Sequence, residues 1–115
     1  MASDIFTQIG SDIYGAARTQ IGLSTSLSAD GSVVAIGAPH DGGNGNVSIY
    51  KKENNNWIQV GSHIDGEGGN DLSGYSVSLS SDGSVVAIGA PNDGGNGNVS
   101  IYKKENNNWI QVGSH

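Results

Sequence analysis

Residues 82–115 read DGSVVAIGAPNDGGNGNVSIYKKENNNWIQVGSH, and residues 30–63 spell the same 34 letters with one exception, His40 against Asn92. Upstream the likeness persists. GLSTSLSADGS (22–32) answers GYSVSLSSDGS (74–84) at the same spacing of 52, and IFTQIGSDI (5–13) answers NWIQVGSHI (56–64) at a spacing of 51. One residue is therefore missing from the first copy, inside IYGAARTQIG as compared with IDGEGGNDLSG. Self-similarity at a fixed period near fifty residues marks an architecture of stacked repeats. It divides the chain into an extra outer strand at 1–13, a first repeat at 14–63 and a second at 64–115.

Each unit predicts four short strands. YSVSLS (75–80) alternates Tyr75, Val77 and Leu79 with serines, the period-two pattern of a strand with one face inward. Asp82-Gly83 is expected as a tight hairpin turn, because glycine supplies the positive φ such turns need, and VVAIGAP (85–91) is an almost unbroken apolar run suited to a strand covered on both faces. Asn96-Gly97 tips the following turn, NVSIYKK (98–104) alternates again, and KENNN closes it with asparagines that tolerate left-handed backbone. WIQVGSH (109–115) is the fourth strand. With no helical periodicity and turns every eight to twelve residues, the chain is expected to be all-β.

Four antiparallel strands in a unit of about fifty residues is the grammar of a β-propeller blade. A sandwich of eight or nine strands is the alternative. A calcium-binding β-roll also comes to mind from GGNGNVSI, but Val47 and Val99 stand where the nonapeptide repeat needs aspartate.

Composition narrows the function classes. The chain has 115 residues, 19 glycines, a net charge of −6 and five basic residues, four of them in two Lys-Lys pairs. Nucleic acid and anionic membranes need a basic stripe that these residues do not make. No apolar run reaches transmembrane length, and MASDIFTQIG lacks the basic and apolar regions of a signal peptide. The absence of cysteine removes disulfides, thiolate metal sites and a cysteine nucleophile.

The order of motifs resembles the FG-GAP repeats of integrin α-subunit propellers. The likeness lies in G-Y-S-V-S-L (74–79), A-I-G-A-P (87–91) and G-N-V-S-I-Y (97–102), and again in G-L-S-T-S-L (22–27), A-I-G-A-P (35–39) and G-N-V-S-I-Y (45–50). The resemblance implies that the SVSL strand is innermost and the Trp-led strand outermost, in an extracellular setting. Two departures stand out. Ser73-Gly74 and Ile21-Gly22 replace the family's Phe-Gly, and the calcium loop has shrunk to one carboxylate per copy, Asp30 and Asp82. A calcium site takes six or more oxygens, so the family's metal site is not carried over.

No catalytic residue and no cofactor is expected. If the strands run up and down in turn, one rim carries Asp41, Asp93 and the loop IDGEGGNDLSG, whose Asp65, Glu67 and Asp71 form the one candidate cation cluster. A solvated acidic loop is the simpler account, because YGAARTQ in the first copy lacks these carboxylates. The opposite rim carries Asp30, Asp82, Glu53 and Glu105. His40, His63 and His115 have no metal-ligating neighbours in sequence, and no G-x-S-x-G elbow accompanies the serines. Trp57 and Trp109 open the outer strands, where an amphipathic ring covers a blade edge.

Propellers need about four to eight blades. Two blades leave apolar faces in water, so the expected partner is a second copy of the chain. The face between the two blades is chemically the face that the second offers to the next chain, a heterologous interface that closes when the rotation divides a full turn. A trimer of six blades is expected ahead of a tetramer of eight, because each added chain loses translational freedom. Near-identity of the halves fits a recent duplication or a designed sequence. An adhesin-type module that binds a protein or glycan through the acidic rim is the other expectation.

Overall fold

The computed structural model describes residues 6–15, 19–40, 44–66, 71–91 and 97–113. Each repeat folds as a meander whose strands pair in chain order. In the first, β1 (Ser24–Leu27), β2 (Val33–Ala38), β3 (Asn46–Glu53) and β4 (Asn56–Gln59) form the sheet. The two-residue β5 (Ile64–Asp65) adds to it beside β3. In the second, β6 (Ser76–Leu79), β7 (Val85–Ala90), β8 (Asn98–Glu105) and β9 (Asn108–Gln111) repeat the order. All pairings between strands are antiparallel. The fold is all-β, with no helix among the described residues, and the two sheets are two blades. A sandwich that trades strands between sheets does not fit this order.

The turns follow from their side chains. Asn54 and Asn55 have φ of 50° and 69°, and Asn106 and Asn107 have 52° and 67°. Two consecutive positive φ values make the type I′ hairpin, whose twist matches that of the strands it joins. The first turn of each blade is wider than a two-residue hairpin and is organised by a carboxylate. Asp82 Oδ1 accepts from Ser84 Oγ at 2.7 Å, Ser84 N at 3.0 Å and Ser80 Oγ at 2.9 Å. Ser80 Oγ in turn accepts from Val85 N at 3.0 Å, locking the start of β7. Asp30 makes the same set with Ser32 and Ser28.

These donors favour the charged carboxylate. The Ser32 and Ser84 hydroxyls, then the same residues' backbone N–H groups, hold Asp30 and Asp82 below the ordinary value of 3.8. A carboxyl depressed on folding stabilises above its unfolded pKa, and that contribution is lost as pH falls through the folded value. We expect an acid branch of the melting curve that begins near 3.8. It should become shallower in the double variant Asp30→Asn/Asp82→Asn, which keeps an acceptor oxygen and removes the titration. An unchanged acid branch in a pH series of thermal melts would count against this account.

The fourth strand ends earlier than WIQVGSH predicts, at Gln59 and at Gln111. Gly61 and Gly113 take φ of 71° and 74°, which turns the chain out of the ladder. In the first copy the outer lane resumes at β5, where Val47 pairs with Ile64 and Asn46 with Asp65.

Candidate functional site

The chemistry-bearing surface of this chain is the seam between its two sheets. Period-two alternation decides which side chains meet there. On the first sheet, Ala35, Val47 and Ile49 share a face with Ser24 and Ser26, as their pairing register requires. On the second, Val86 and Ile88 share a face with Val77, Leu79 and Tyr102. Ala35, Val47, Ile49, Val60, Ile64, Val86 and Ile88 form one buried cluster, and Val33, Val77, Leu79, Tyr102 and Trp109 pack against it.

Polar groups fix how the sheets meet. Ser24 Oγ donates to the Gly74 carbonyl at 2.7 Å, and Leu79 N donates to Ser26 Oγ at 3.0 Å. Ala29 N donates to Ser81 O at 2.9 Å, and Ser73 N to Asn44 O at 3.1 Å. At the outer edge Trp109 Nε1 donates to Val60 O at 2.9 Å. The serines that alternate along the inner strand are thus the polar register of the seam. Space is equally tight: a methyl group on Gly37 would collide with the Gly74 carbonyl oxygen and Ser24 Oγ. Among the described residues no buried side-chain nitrogen or oxygen lacks a partner, so no orphaned polar group points to a missing ligand.

Identical letters on the two sheets have different surroundings. Val47 is 0% exposed and Val99 62%; Val60 is 5% exposed and Val112 48%. Ala35 and Ile49 are buried, while Ala87 and Ile101 are only half-buried. On the opposite side, Leu27 is 60% exposed where its counterpart Leu79 is half-buried. The second sheet therefore presents to solvent the face that the first sheet buries, whereas the opposite face of the first sheet is open at Leu27 and closed at Ile36, which is 6% exposed.

The expected acidic cluster comes together only in part. Asp65 lies exposed on β5, and Asp71 is 5% exposed with a polar partner of its own. Glu67, Asp41, Asp93 and His115 lie outside the described residues. Asp71 aligns with Thr19, which is also buried and also engaged, so the position is part of the entry to each blade. Among the described residues no three His, Asp or Glu side chains gather to hold a metal ion. His63 is exposed, with its Nδ1 3.4 Å from Gln59 Nε2, and His40 is exposed at its turn. On the other rim Glu53 and Glu105 pair with Lys51 and Lys103 at 3.0 Å, each pair about half exposed and so of small energetic weight.

Sequence reasoning placed Trp57 and Trp109 at a blade edge and missed their bonds. Trp57 Nε1 donates to Ile9 O at 3.0 Å, the same bond that Trp109 makes with Val60. The signal was the match of IFTQIGSDI with NWIQVGSHI, which aligns Ile9 with Val60. Compared with protein-family models and with curated proteins, the chain matches none.

Proposed function

We propose that this chain is a non-enzymatic structural repeat of FG-GAP type whose two blades associate head to tail with further copies to close a β-propeller. The observation that carries this reading is the exchange of environments at the seam. Val99, Ile101 and Val112 on the second sheet repeat Val47, Ile49 and Val60, and Leu27 on the first repeats Leu79. The face that works inside the seam is therefore displayed again on the outside of the second sheet, and Leu27 repeats part of its complement on the first. Burying a fully exposed valine or leucine contributes about 1.5–3 kcal/mol, to be set against a cost of association of roughly 4–15 kcal/mol. The motif order G-Y-S-V-S-L, A-I-G-A-P and G-N-V-S-I-Y supports the family reading, and the four-strand meander is the blade it requires.

Native mass spectrometry tests it. The expected result at micromolar concentration is an integral multiple of the 11.7 kDa chain, three copies ahead of four. A monomer at that concentration overturns the proposal. A tetramer would show that the angle between blades outweighs the entropy of gathering a fourth chain.

A further inference from the structure

The internal seam contains a device that its outer copy lacks among the described residues. β5 lies beside β3, with Ile64 opposite Val47, and Gly66 N donates to Gly45 O at 2.9 Å. Val47 is fully buried as a result of this cover and of the second sheet. At the matching place on β8, Val99 pairs with Gly89 and its side chain is largely in water.

The sequence holds a second version of β5. At the spacing of 51, Ile13, Tyr14 and Gly15 correspond to Ile64, Asp65 and Gly66. The structure already carries their segment along the corresponding path. Ile9 O accepts from Trp57 as Val60 O accepts from Trp109. A Cβ on Gly10 would lie 2.8 Å from Asn55 O and 3.0 Å from Trp57 Cδ1; on Gly61 it would lie 2.6 Å from Asn107 O and 3.1 Å from Trp109 Cδ1. Gly10 and Gly61 have φ of 69° and 71°, and further on Gln20 and Leu72 have 56° and 62°. The N-terminal segment thus lies against the first blade as an outer strand of a preceding blade would. Tyr14 is 81% exposed and Ile13 half-buried, whereas Ile64, paired with Val47 of β3, is 6% exposed.

We propose that Ile13–Tyr14 is a donor strand for a second copy of the chain. It adds antiparallel to β8 of the preceding copy, Ile13 opposite Val99 and Tyr14 opposite Asn98, with Gly15 N donating to Gly97 O. This deepens the self-association reading and rests on it. The outer lane at each junction between chains is then shared. β9 of the preceding copy fills its first half and Ile13–Tyr14 of the next copy fills its second. The changeover follows from competition for one site. Val112–Gly113 has the backbone turn of Ile9–Gly10, with φ of 74° against 69° at the glycine. Trp57 and Asn55 hold one such segment, so an arriving copy's Val112 carbonyl replaces Ile9 and leaves Ile13–Tyr14 in place. Residues 1–10 are dispensable for assembly, and residues 13–14 are not.

The chain's lack of cysteine makes the test specific. Chains bearing Ile13→Cys and chains bearing Val99→Cys are mixed under mild oxidation, because directly opposed residues bring their Cβ atoms to within about 5.5 Å, near disulfide range. In parallel, native mass is measured for the full chain, for a deletion of residues 1–10 and for Ile13→Asp, with circular dichroism confirming that each variant folds. The expected results are a disulfide-linked pair of chains, an intact oligomer for the deletion, and association weakened on the order of tenfold to a hundredfold for Ile13→Asp. An oligomer of the full chain with no crosslink and no effect of Ile13→Asp overturns the donor strand alone. A full chain that stays monomeric overturns the donor strand and the self-association reading together.

Discussion

Gly37→Ala is expected to unfold the chain at far lower urea than the parent, whereas Gly89→Ala is expected to leave the chain folded and abolish its assembly. Both glycines sit at the same place in the repeat, next to the inner strand. At Gly37 the added methyl meets the backbone oxygen of Gly74 on the facing sheet, which has no rotamer to escape into. Overpacking against backbone costs about 3 kcal/mol, a large share of the roughly 5–15 kcal/mol that holds a domain of this size. At Gly89 the added methyl meets only Ser76 Oγ, a hydroxyl that can rotate away. In the isolated chain Gly89→Ala is therefore worth less than about 1 kcal/mol in either direction. In the proposed assembly, Gly89 would face the Gly22 carbonyl of the next copy as Gly37 faces Gly74, and the collision would return. Urea melts at low concentration, set beside native mass, read the two effects separately. Equal destabilisation of the isolated chain by both variants would contradict the seam described above, and an intact oligomer for Gly89→Ala would contradict the proposed junction.

Ile49→Ala and Ile101→Ala should show the same division between folding and association. Ile49 is 1% exposed in the centre of the buried cluster, and its truncation is expected to cost about 2–5 kcal/mol. Ile101 is half-buried on the outward face of the second sheet, so its loss should cost the isolated chain about 1 kcal/mol. The measurement is the denaturation midpoint as a function of protein concentration. The parent and Ile49→Ala should both gain stability with concentration, while Ile101→Ala should lose most of that dependence. A midpoint independent of concentration in the parent would remove the basis for the comparison and for the assembly.

The first and third strands of each unit were legible because their alternation is strict: Val77 and Leu79 between serines, and Val47 and Ile49 flanking Ser48, point to one face. The asparagine hairpins were legible because few residues other than glycine accept two consecutive positive φ values. β5 was not, since two residues carry no period, and Ile64–Asp65 reads as the start of the next loop. The early end of the fourth strand was hidden too, because Gly61 interrupts an apolar alternation that otherwise continues through Val60. The seam itself could not have been located from letters. Val47 and Val99 sit in identical sequences, and only the presence or absence of a neighbouring sheet makes one buried and the other wet.

One feature of the linkage between the blades governs the order of events in solution. β5 ends at Asp65 and β6 begins at Ser76, so ten residues tether the two halves of the seam. A short tether of this kind gives the halves an effective concentration on the order of millimolar. The chemically equivalent junction proposed between separate chains would meet only the bulk concentration, about a thousandfold lower at micromolar protein. Under the proposed assembly the same contacts would form in two regimes: within a chain they are present at any dilution, and between chains they would depend on how many copies the solution holds. Dilution should accordingly return a ring to folded two-blade units before any strand is lost.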